Sequence, residues 1–272
     1  MTDRTFKGSM KFILRTLAAS IALFLLNAAL RPSWEEAISA LMVCTMLCWI
    51  TERSRVSGAE LVATLAGFYF ILASALNIPE GVFFDVIKVG QAPLMMAQQL
   101  GIALAIAIVI AVLFGRTKME AAAAPVWRSD MSILGLIWRL AASIGVFLVC
   151  YFGAGMLIFP LVKSYYQGRT MPTLEAMAAM VSLRAVLLIF AAGLVSRKIP
   201  SRKDARLILA TAFPVIGVIS LMIPHNELMP PFVRLVHTVE TAPYYALCGF
   251  LFATWFGPPR AGGSKTFIAR SS

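Results

Sequence analysis

The chain alternates long apolar runs with short polar breaks from end to end. Eight runs stand out, at about Phe12 to Leu30, Trp34 to Ile50, Ala59 to Asn77 and Leu94 to Phe114. They continue with Ser132 to Leu157, Leu174 to Val195, Ala205 to Ile223 and Phe232 to Phe256. Each is close to the roughly 20 residues that an α-helix needs to cross about 30 Å of hydrocarbon. Backbone groups find no water in that layer, so helices are the expected form. The pattern therefore predicts an all-α, polytopic integral membrane bundle of eight helices, with residues 1–272 as one transmembrane domain.

Composition agrees with that class. Apolar residues make up 60% of the chain and charged ones 14%, with a mean hydropathy of +0.82. Soluble domains are nearer 45–50% and about 25%. The net charge of +11 calls for no nucleic acid, because Lys and Arg collect in cytoplasmic loops of membrane proteins. No basic stripe interleaved with aromatics and no zinc-finger signature is present.

The basic residues orient the chain. Arg4, Lys7, Lys11 and Arg15 stand at the start, Arg53 and Arg55 after the second run, and Arg116, Lys118 and Arg128 after the fourth. Arg197, Lys198, Arg202, Lys203 and Arg206 follow the sixth, and Arg260, Lys265 and Arg270 the last. The other side holds Arg31, Lys88, Lys163, Arg169 and Arg234. Both termini are expected to be cytoplasmic, in the cell membrane. The first run has the basic start of a signal peptide, but Asn27 is a poor residue before a cleavage point at Ala28-Ala29. An uncleaved helix is the better reading.

Trp34 with Glu35-Glu36, Phe83-Phe84-Asp85 and Tyr165-Tyr166 fall in the outer loops and read as aromatics at headgroup level. Gly81 to Val89 suggests a short interfacial helix, and Ala121 to Pro125 a cytoplasmic linker. Leu17-Ala18-Ala19-Ser20-Ile21 recurs as Leu140-Ala141-Ala142-Ser143-Ile144. A weak four-plus-four parallel repeat would generate that echo. So would the shared alphabet of membrane helices, which is the preferred explanation.

Chemistry-bearing motifs are few. Cys44, Cys48, Cys150 and Cys248 lie inside apolar runs without further ligands, and read as buried thiols rather than a metal site. His-Glu-x-x-His, Gly-x-Ser-x-Gly and the Gly-x-x-x-x-Gly-Lys phosphate loop are absent. Glu35-Glu36 resembles the paired glutamates of intramembrane prenyl-protein endopeptidases, but Ala40 stands where that family carries Arg. His225 and His237 are poorly spaced for haem. No cofactor or metal is expected. Pro214 and Pro243 read as ordinary membrane-helix prolines.

The last run carries the candidate site. Arg234, His237 and Glu240 recur every third residue, within about a 120° sector of one helical face. Charged groups at that depth are costly unless paired or solvated. Arg184 lies near the middle of the sixth run, at a depth matching Glu240, so an Arg184–Glu240 ion pair is expected. Gln98, Gln99 and Asn27 share the outer half. These groups suggest a partly hydrated pocket opening to the outer face, holding a small-molecule ligand. A transporter or ligand-binding membrane protein is the leading reading. An enzyme on a lipid-linked substrate, or a structural or sensory subunit, is the alternative. The lipid bilayer is the one partner the sequence names.

Overall fold

The computed structural model describes residues 2–28, 33–118, 132–167, 172–225 and 229–257. Among them every regular element is helical. In chain order they are α1 (Thr2–Ala28), α2 (Trp34–Arg53), α3 (Gly58–Phe70), α4 (Asn77–Phe83), α5 (Ala92–Leu113), α6 (Ile133–Tyr166), α7 (Leu174–Ser196), α8 (Arg202–Pro214), α9 (Ser220–Met222) and α10 (Pro231–Phe256). A π-helical turn, Ile71–Ala75, joins α3 towards α4, and a second, Val215–Ile219, joins α8 to α9. Seven of the resulting segments are long and apolar enough to cross a membrane. The 26-residue α10 is not in that set; it carries Arg234, His237, Glu240, Pro243 and two tyrosines. The expected linker Ala121 to Pro125, and Arg31, Arg128, Arg169, Arg260, Lys265 and Arg270, lie outside the described residues.

The helix starts are written in the sequence. The hydroxyls of Ser33, Ser132, Thr173 and Ser201 each accept a hydrogen bond from the backbone N–H three residues on, at 3.1–3.3 Å. That satisfies one of the four donors a helix leaves unpaired at its N-terminus. Arginines satisfy carbonyls at the other ends. Arg116 donates to Ser54 O at 2.7 Å, Arg139 to Trp255 O at 2.8 Å and Arg202 to Thr254 O at 2.8 Å. Arg53 pairs with Asp204 at 3.4 Å, and Lys198 pairs with Glu60. Arg55 N–H donates to Lys198 O at 3.1 Å. These contacts gather the basic breaks after α2, α5 and α7, and the C-terminal end of α10, at one end of the bundle.

Two boundaries differ from the sequence expectation. The fifth run was expected to close at Leu157, before Phe159-Pro160, yet α6 continues through Pro160 to Tyr166. A proline removes one backbone hydrogen bond, but Val162 beyond it is buried against Val233 and Val236 of α10. That apolar contact holds the extra turns in place. The third run was expected to end at Asn77, with a separate helix over Gly81 to Val89. Instead the segment Gly58–Phe83 is helical throughout, and turns follow, with Asp85 at φ 55°. Asn77 Nδ2 donates to Leu72 O (3.0 Å) and Ala73 O (3.2 Å), carbonyls within the π turn. Pro214 immediately precedes the second π turn. So this proline marks a real distortion of the helix, a usual consequence of its missing N–H and ring bulk.

The burial register recurs between the two halves. In α2 the buried residues are Ala40, Val43, Cys44, Leu47, Cys48, Ile50 and Thr51. In α7, Val181, Arg184, Ala185, Leu188, Ile189, Ala191 and Ala192 are buried at the same successive spacings. Ala103, Ile106, Ala107, Ile110 and Ala111 of α5 are likewise matched by Tyr245, Cys248, Gly249, Phe252 and Ala253 of α10. Both α3 and α8 run for 13 residues into a π turn of 5. Packing follows suit, with α1 on α2 and α5, and α6 on α7 and α10.

The tightest crossing is α8 with α10. A Cβ on Gly249 would fall on the Leu209 carbonyl oxygen, whereas one on Gly145 would meet nothing within 4 Å. Small residues let membrane helices approach this closely. Gly249→Ala should therefore destabilise the bundle by about 1–3 kcal/mol through overpacking, and Gly145→Ala should be neutral. Melting of the two variants in detergent checks this; equal melting temperatures would refute the close crossing.

Candidate functional site

A cavity of about 380 Å³ opens among α4, α6, α7, α9 and α10 and the two π turns. It lies at the end of the bundle opposite the basic loops, where α4 leads to α5, α6 to α7 and α9 to α10. Ala73 and Gly217, one from each π turn, form part of its inner wall. Ile78, Val86, Ile87, Val218, Leu221 and Met222 supply apolar lining, and Phe84, Tyr151, Tyr165, Tyr166 and Tyr244 aromatic lining. Four acidic or basic side chains face it: Glu80, Arg184, His237 and Glu240.

Arg184 is the deepest of them. Its guanidinium donates to Glu80, and through its other terminal nitrogen to the Tyr245 hydroxyl at 2.8 Å. Its Nε is buried without a partner. The expected pairing with Glu240 is thus corrected: Glu80 is the carboxylate that neutralises Arg184. The reason is the helical extension beyond Asn77, which carries Glu80 into the bundle on α4 instead of leaving it in an outer loop. Tyr245 reaches Arg184 because Gly217 leaves room for its ring; a Cβ there would stand 3.0 Å from Tyr245 Cε1.

His237 and Glu240 form a second unit. His237 Nδ1 lies 2.9 Å from Glu240 Oε2, and Nε2 lies 3.1 Å from the Tyr166 hydroxyl. An ionised carboxylate can only accept, so Nδ1 carries the proton; a neutral imidazole then accepts the Tyr166 hydroxyl at Nε2. Gly155 of α6 packs beside Glu240, whose Oε1 would lie 3.6 Å from a Cβ at that position. Tyr165 and Tyr166, read from the sequence as headgroup aromatics, line the cavity, because α6 outruns its expected end.

The remaining sequence candidates lie elsewhere. Arg234 donates to the carbonyls of Met222, Ile223 and Pro224, closing the end of the α9 segment. Gln98 is exposed and Gln99 half-buried on α5, and neither lines the cavity. Asn27 is half-buried on α1 and is also outside it. Glu80 and Tyr245 were not anticipated. The signal for Glu80 was a lone carboxylate one turn beyond a helix end, within reach of a buried arginine. Tyr245 gave no signal beyond its place on the α10 face opposite α7.

No protein-family model, curated protein or solved structure matches this chain.

Breaking a buried pair by removing one partner costs about 3–5 kcal/mol, because a charge is left uncompensated. Arg184→Met and Glu80→Leu should each lower the melting temperature of the purified protein sharply. The double variant should recover most of the loss. Glu240→Gln should leave stability within about 1 kcal/mol, since it keeps a hydrogen-bonding group beside His237. Recovery of Arg184→Met by Glu240→Leu, rather than by Glu80→Leu, would restore the original pairing and overturn this one.

Proposed function

We propose that the chain is an eight-span protein of the cell membrane with both termini cytoplasmic, which binds a small molecule from the outer face and moves it across the bilayer. The recurring burial register and the paired π turns support a four-plus-four parallel repeat beneath that topology. Transporters are commonly built from such halves, with the site at their interface and formed by interrupted helices. Here both interrupted helices meet at the cavity.

One observation carries the functional reading. Aligned on the burial register, the other half holds Val43 where this half has Arg184, Met95 for His237, Gln98 for Glu240 and Ala103 for Tyr245. Carried along the paired π turns, the same comparison sets Pro224 against Glu80. Each charged position thus has an uncharged counterpart at the same place in the register. Buried ion pairs are poor stabilisers relative to apolar packing, so the charged cluster is better explained by a ligand than by the scaffold.

Topology is tested by reporter fusions. Fusions at Arg128 and Arg202 should report cytoplasm, and a fusion at Gln167 the outside; Arg202 and Gln167 on one side would sink the arrangement. Transport is tested by cysteine access. In a background lacking Cys44, Cys48, Cys150 and Cys248, Leu221→Cys should react with a membrane-impermeant maleimide added outside. It should also react, more slowly, from the inner side in inverted vesicles. Labelling from outside alone would reduce the protein to a binding or sensory role, and labelling from neither would remove the site.

A further inference from the structure

We infer that the ligand of this cavity is an organic cation with an apolar or aromatic body. The inference rests on the reading of the cavity as a ligand site, and deepens it. The carboxylates of Glu80 and Glu240 are among the polar groups that line the cavity. Arg184 is the fixed cation among the lining residues, but its side chain is only 7% exposed, against 25% for Glu80, which covers it. Both terminal nitrogens of that guanidinium are already engaged. Glu80 and Glu240 each use one carboxylate oxygen on a neighbour, while the other has no hydrogen-bond partner among the described residues.

The walls fit the same class. Tyr151, Tyr165, Tyr166 and Tyr244 line the cavity together with the two carboxylates, and aromatic rings attract cations through their quadrupole. An anion would meet the carboxylates before the more deeply buried Arg184. A neutral apolar molecule would leave the free carboxylate oxygens without donors, which is costly once water is excluded. A cation satisfies both demands: its charge meets the free carboxylate oxygens, and its apolar body packs on the aliphatic wall.

The test uses the full-length protein in lipid nanodiscs and three water-soluble probes of similar size. They are benzyltrimethylammonium, neutral N-benzylacetamide and anionic phenylmethanesulfonate, titrated by isothermal calorimetry. The cation should bind saturably and at least about tenfold more tightly than either of the others. Glu240→Gln should weaken the cation about tenfold and leave the neutral probe unchanged. Tightest binding by the sulfonate or the amide would overturn the cation class while keeping the cavity as a binding site. Absence of saturable binding by all three would also overturn it, even where Leu221→Cys is labelled from outside. Failure of that labelling would instead bring down the cavity reading itself.

Discussion

A guanidinium inside an apolar bundle must be neutralised where it lies. Arg184 sets this demand, and much of the end opposite the basic loops is arranged to meet it. Glu80 supplies the charge, Tyr245 the second acceptor, and Gly217 the space for the tyrosine ring. Each partner comes from a different helix, so α4, α7, α10 and the second π turn are held in one register by a single side chain. Hydrogen bonds between membrane helices are individually modest. Their geometric precision is what matters here, because it fixes the mouth of a cavity between elements that otherwise touch through interchangeable apolar surfaces.

The π turns make that arrangement possible. An α-helix that widens by one residue shifts its later side chains around the axis and leaves carbonyls without their usual donors. In the first turn, Asn77 meets two carbonyls with its own amide. At the second, Pro214 precedes the widening, and Ser220 at its far end receives the Ser39 hydroxyl on its carbonyl. Ala73 and Gly217 are small, and they stand at the cavity wall where larger residues would fill it. Buried Phe68, Phe147, Phe213 and Phe252 pack in the apolar core of the bundle.

The helices were legible in the sequence because hydrocarbon imposes a length and a composition on anything that crosses it. The starts at Trp34, Leu174 and Arg202 also follow local rules, since a serine or threonine cap needs only its own backbone three residues on. Arg184, His237 and Glu240 could be singled out for the same reason: a charged residue in an apolar run is conspicuous without any knowledge of neighbours. Gln98 was conspicuous too. It stands in α5 where Glu240 stands in α10, and depth along a helix could not show that α10 lines the cavity and α5 does not.

What the sequence by itself determined was the class, the helical segments and the one-sided distribution of basic residues, all of which depend on the solvent that each segment faces. Tertiary structure decided the pairings. Whether Arg184 meets Glu80 or Glu240 depends on how far the third segment stays helical past Asn77, and on which face α4 turns inward. Whether Tyr166 sits among headgroups or against His237 depends on Val162 finding Val233 and Val236 beyond Pro160. Those outcomes are set by contacts between residues far apart in the chain. Such contacts leave no periodic trace in the sequence, because many apolar side chains could fill the same holes, and only the packed bundle selects which polar group is carried to which partner.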